Sequence, residues 1–202
     1  MHHYLEREVD VVKQALLVID AQKIYSLETS GYYVSDVEAE LQNINALIDS
    51  FEKRGDLIIY VKHIHAVDGS DAGRMFDFAG DEVEGVEFAE GSEEAEFIDT
   101  LKVVEGSPII VKKRYDSFID TDLEKILKDH CIEKVTICGF MTNFCCDSTA
   151  RHAHDIGYYV DFVVDATGTP GTELLSAEEI KKATVANMTD GFAVVINTND
   201  IV

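Results

Sequence analysis

Short apolar runs recur along the chain without alternating polar residues. They are ALLVID (15–20), LIIYVKH (57–63), PIIVKK (108–113), VTICGF (135–140), YYVDFVVDA (158–166) and GFAVVINT (191–198). Runs of this length, rich in Val and Ile, suit strands covered on both faces. Between them lie segments of helical pattern at 36–54, 120–130, 142–156 and 176–188. Gly55 and Gly157 stand just past the first and third of these, where a left-handed residue ends a helix. Ser176 followed by Glu179 forms a capping-box start. Strand and helix in alternation predict an α/β fold, a three-layer αβα arrangement on a mostly parallel, six-stranded, Rossmann-like sheet. No repeat or linker-like stretch divides the chain, so 1–202 reads as one domain with 1–13 as a lead-in.

Ligands of such sheets sit beyond the carboxyl ends of the strands. The polar residues that close the apolar runs are therefore the candidates for chemistry. These are Asp20, His63 with His65, Lys112 with Lys113, and Cys145 with Cys146 just past VTICGF. Asp165 also ends a run, and we read it as satisfying loop N–H groups. Neighbouring residues of a strand point to opposite sides, so only one of the two lysines should reach a site.

The two adjacent cysteines can be told apart by helical period. With Thr142 as N-cap, positions 146, 149, 150, 153 and 156 form one stripe of small and apolar residues. Cys146 belongs to that sheet-facing stripe and reads as packing. Cys145 lies about 100° away, on the side of Ser148 and His152, in the first turn of the helix. Unpaired N–H groups and the helix dipole there favour an anion, which predicts a lowered thiol pKa. On this pattern alone, a reactive and a structural role for Cys145 are evenly balanced.

Charge narrows the partners. The 202 residues hold 39 Asp and Glu against 17 Lys and Arg, a formal net charge of -22. Nucleic acid and anionic membrane surfaces are excluded as partners on that ground. No apolar tract is long enough to span a membrane, and the charged N-terminus lacks a secretory signal's apolar centre. The 4 cysteines are not spaced as a disulfide framework, so a cytoplasmic setting is expected. The acidic segment 81–99 has no Lys or Arg. It reads as a solvated surface, with a lid anchored by Val86 and Phe88 as the alternative.

Three motifs, in order, resemble the isochorismatase-like cysteine hydrolases, the group of nicotinamidases and N-carbamoylsarcosine amidohydrolases. ALLVIDAQ is similar to the family's strand ending in Asp, with Gln two residues on. VKKRYDSFIDTDL is similar to its K-x-x-Y strand end, and GFMTNFCCDSTARHAHDIGYYVDFVVDAT to its G-x-x-T-x-x-C, helix and following strand. The resemblance spans about 14–200. It implies a catalytic Asp20, Lys112 and Cys145, a cis peptide between Phe140 and Met141, and an oxyanion hole from the Met141 and Cys145 N–H groups. The implied activity is hydrolysis of a C–N bond in a small amide or N-carbamoyl compound through a thioester, without a cofactor. Dimers or tetramers are common in the group, so a homo-oligomer is expected.

Members that hydrolyse the vinyl ether of isochorismate typically have Gly in place of the nucleophile, and Cys145 favours the amidase reading over that alternative. Nicotinamidases place a metal on D-x-H; here Lys62 replaces the Asp, and no metal is expected. Gln22, Tyr25, Phe118, Phe140 and Phe144 are the candidate substrate contacts. A non-catalytic binding protein of this fold is the rival from another class, and the intact Asp, Lys and Cys speak against it. A Cys145–Cys146 redox pair is weak, because adjacent cysteines in a helix cannot easily bond.

Overall fold

The computed structural model describes residues 12–75, 77 and 86–202. Its six strands are β1 (Gln14–Ile19), β2 (Leu57–His63), β3 (Ile109–Lys112), β4 (Lys134–Phe140), β5 (Tyr159–Gly168) and β6 (Val194–Ile196). They lie in the order β3-β2-β1-β4-β5-β6, and every pairing is parallel. Each apolar run thus supplies one strand. The chain starts at the middle of the sheet, builds outward to one edge, and crosses back to fill the other. The order reverses between β1 and β4, which opens the crevice where doubly wound sheets bind ligands.

Helices cover both faces. They are α1 (Val37–Arg54), α2 (Leu123–Asp129), α3 (Asp147–Asp155) and α4 (Ala177–Thr189). On β1 the pleat splits the side chains between two cores. Leu16 and Val18 join Ile44, Leu47 and Phe51 of α1, while Ala15, Leu17 and Ile19 join Leu123, Leu127, Ala150 and Ala153 of α2 and α3. Each Val, Leu or Ile side chain among these, taken fully out of water, contributes about 2 kcal/mol. Gly55 ends α1 in the left-handed conformation at φ 73°, and Ser176 and Glu179 make the expected reciprocal capping box on α4.

The helix expected over 142–156 forms with a different start. Thr142–Cys146 is a π-helical turn ahead of α3, and Met141 takes the cap position. Thr142 is not the N-cap: its hydroxyl donates to Thr167 Oγ1 at 3.1 Å, tying the turn to β5. The stripe buries Cys146, Thr149, Ala150 and Ala153, but Ile156 at the helix end is exposed, because the sheet no longer lies beneath it. The acidic segment also departs from the favoured surface reading. Residues 81–85 lie outside the described residues. From 86 onward the chain packs back on the strand ends, with Phe88 buried and its ring stacked on His63 at 4.7 Å.

Gly139 fixes how closely β4 approaches β1. Its φ is +119°, and a Cβ there would sit 1.9 Å from the Ile19 carbonyl oxygen. No side chain fits without moving one of the two central strands. Gly139→Ala should therefore cost about 3 kcal/mol or more, read as a lower urea midpoint with an unchanged slope. A variant as stable as the parent would show that the two strands separate freely at this point.

Candidate active site

Four strand ends and one turn converge at the crevice. Asp20 follows β1 with φ +48°, a left-handed conformation that Asp tolerates better than most residues. Its own N–H donates to the Val61 carbonyl at 3.0 Å, which pins it to the end of β2. Lys112 is the last residue of β3. The alternation of that short strand turns Lys112 inward and leaves Lys113 at the surface, paired with Asp71 at 2.7 Å. Cys145 lies in the π-helical turn after β4.

These three side chains meet out of water. Lys112 Nζ is 2.9 Å from Asp20 Oδ2 and 3.2 Å from Cys145 Sγ, and it also donates to the Arg114 carbonyl at 2.9 Å. Asp20 and Lys112 both have 0% exposure. Besides the ion pair with Lys112, the Asp20 carboxyl is within reach of the Cys145 thiol, which hydrogen-bonds to it. Burial pushes the Asp20 carboxyl above its usual range, against the pull of Lys112. Burial works against the charge on Lys112, but Asp20 and Cys145 outweigh it, and the ammonium is held.

Cys145 departs from the sequence expectation of a lowered pKa. Burial pushes its thiol up to about 12; Lys112 pulls it down and Asp20 pushes it up. The position at the helix start does not offset removal from water. The resting site therefore holds a protonated thiol beside the Asp20 carboxyl. Cys146 and Cys138 are buried as well, and all four cysteines are free.

The site opens into a cavity of about 530 Å³ whose lining includes Tyr25, Tyr32, His63, Glu87, Tyr115 and Cys145. Met141 and Phe144 also line it, with Phe144 at the exposed rim. The Phe140–Met141 peptide bond is cis. The other proposed contacts lie elsewhere. Gln22 spends its amide on backbone: Nε2 donates to the His63 and Ala95 carbonyls, and Oε1 accepts from the His63 N–H. Phe118 packs against His152 and Tyr158 behind the helix layer. Phe140 is fully buried and stacks under Tyr25 at 5.1 Å, so it supports the cavity wall without lining it. Asp165 accepts from the Thr198 N–H and hydroxyl, as its position past an apolar run suggested.

His63 and the segment from 86 onward also line the cavity. In sequence, His63 is a strand-end candidate without a role, and a lid anchored by Val86 and Phe88 is only the alternative for the segment. The signal for His63 was present, since it closes the β2 run. Its ring is buried, its Nε2 has no hydrogen-bond partner, and burial followed by Lys112 lowers its pKa, so it is neutral. Ligand atoms of Asp20, His63 and Cys145 all lie within 4.8 Å of one another, which is close enough to share a metal ion. The charged Nζ of Lys112 contacts two of the three, so this donor set does not fit a cation.

With that geometry in view, relatives can be set beside the chain. Residues 14–200 match the Isochorismatase domain family, and the chain belongs to it. An uncharacterized isochorismatase family protein of Bacillus subtilis, YwoC, is 32% identical over 80% of this chain and 80% of its own. Nicotinamidase 3 of Arabidopsis thaliana is 29% identical, over 93% of this chain and 86% of its own. Among solved structures, a cysteine hydrolase from Pseudomonas syringae pv. phaseolicola superposes with a TM-score of 0.83 at 28% identity, covering 94% of this chain and 90% of that one. The protein is thus a hydrolase of the isochorismatase family.

A titration checks the state of the thiol. The difference in thiolate absorbance between the parent and Cys145→Ala should stay flat from about pH 6 to pH 9. A step below about pH 8 would show that Cys145 rests as a thiolate.

Proposed function

We propose that the protein hydrolyses the C–N bond of a small amide or N-carbamoyl compound through a thioester on Cys145. The observation that carries this reading is the buried Asp20–Lys112–Cys145 cluster, with the thiol lining a cavity of substrate size. Asp20 takes the Cys145 proton as the sulfur attacks the carbonyl carbon. The family resemblance implies the N–H groups of Met141 and Cys145 as the donors for the oxyanion, and the amides of Phe144 and Cys146 are engaged by the Met141 carbonyl. When the C–N bond breaks, Asp20 returns the proton to the leaving amine. It then takes a proton from the water that attacks the thioester, and the departing sulfur recovers it. Lys112 keeps its charge throughout and offsets the negative charge as it moves between carboxylate and sulfur.

The raised pKa of Asp20 suits a group that must both accept and release a proton. Cys145 also separates this chemistry from the vinyl-ether reaction, which needs no nucleophilic thiol. The partner is a small molecule in the cytoplasm. The proposal includes a homo-oligomer, for which the exposed Ile109 and Val111 on edge strand β3 offer an apolar contact. Among the described residues, no helix is long and apolar enough to cross a membrane.

A screen for ammonia release over small amides, N-carbamoyl compounds and nicotinamide tests the reaction. Cys145→Ala should lower kcat by about a thousandfold or more on any substrate found, while Cys146→Ala should stay within about tenfold of the parent. Failure of the folded protein on every compound, or loss of turnover only in Cys146→Ala, would contradict the proposal.

A further inference from the structure

The charges around the cavity are one-sided. Among the described residues that line it, Glu87 alone is ionic, and none is Lys or Arg. The cations nearby, among the described residues, have partners: Arg74 pairs with Asp77 at 2.6 Å and Lys181 with Glu40 at 2.8 Å. Lys112 is held by Asp20 and the thiol, Lys113 by Asp71, and Arg114 Nη1 by the Asp71 and Lys113 carbonyls. His63 is neutral. A carboxylate-bearing substrate entering here would lose water and meet no counter-ion, a large cost in a half-closed site.

The same walls suit a cation. Tyr25, Tyr32, Phe88, Tyr115 and Phe144 all line the cavity, with the Tyr32 and Phe88 rings 6.3 Å apart and the Tyr115 and Phe144 rings 5.1 Å apart. Glu87 stands among them, half-buried. The Tyr32 hydroxyl donates to its Oε2 at 2.6 Å, which fixes the carboxylate and leaves Oε1 for a ligand. Aromatic faces with one oriented carboxylate are the chemistry that holds an ammonium group. Resting on the amidase reading above, we propose that the preferred substrate is an amide whose far end carries an ammonium group, recognised by Glu87 and Tyr32 within this aromatic wall. Glu87 is then the specificity-determining residue, and Tyr32 positions it.

The test compares three primary amides on one ring: benzamide, 3-(aminomethyl)benzamide and 3-carbamoylbenzoate. The parent protein should favour the aminomethyl compound over benzamide by about tenfold in kcat/KM and act least on the carboxylate. Glu87→Gln should lower the ratio of aminomethyl compound to benzamide by about tenfold, and Glu87→Lys should raise the carboxylate above the aminomethyl compound. Calorimetric binding of benzylammonium and benzoate to the parent and to Glu87→Gln gives a readout that needs no turnover. Benzylammonium should bind more tightly than benzoate, and the preference should vanish in the variant. If no amide is cleaved but that preference holds, the hydrolytic reading fails and the recognition stands. Equal or tighter binding of benzoate, or a substrate ratio that Glu87→Gln leaves unmoved, would overturn the inference.

Discussion

The ion pair between Lys112 and Asp20 is the constraint on which the site rests. Both side chains are removed from water, and each is tolerable there only because the other is 2.9 Å away. A buried charge that loses its partner costs about 3–5 kcal/mol, a large share of the stability of a domain this size. The pair also joins strands that are not neighbours. Asp20 ends the central strand β1 and Lys112 ends the edge strand β3, with β2 between them. Gly139 holds β4 against β1 on the other side and so sets where the turn bearing Cys145 begins. The ends of four strands must be in register before thiol, carboxylate and ammonium can meet.

On the proposed reading, this arrangement is why the thiol needs a base. Removal from water pushes both Asp20 and Cys145 toward their protonated forms, while the single ammonium supports one negative charge between them. In the proposed reaction that charge rests on the carboxylate when the site is empty and moves to sulfur when a carbonyl carbon is presented. Lys112 contacts both acceptors, so the transfer shifts charge over a short distance without bringing in water.

Much of this was legible in the sequence. The six apolar runs became the six strands because runs covered on both faces carry their signal locally. Helical period placed Cys146 on the sheet-facing stripe but left the role of Cys145 evenly balanced, and the turn that carries both is π-helical. What the sequence hid depends on contacts between distant segments. The thiol at the helix start suggested a lowered pKa, and burial by elements far along the chain reversed the direction. Gln22 sits two residues from Asp20, yet its amide is consumed by the backbone at His63 and Ala95. Glu87 and Phe88 looked like part of a solvated acidic run. Only the return of that segment over the ends of β1 and β2 shows them as cavity wall.

The central claim is that Cys145 carries the acyl group during turnover. Acid quenching of the enzyme during hydrolysis of an active amide, followed by peptide mass spectrometry, tests it directly. A mass increment equal to the acyl group is expected on the peptide containing Cys145, with fragment ions placing it on that residue and its loss in Cys145→Ala. Steady turnover with the increment on Cys146 or on Asp20 would contradict it.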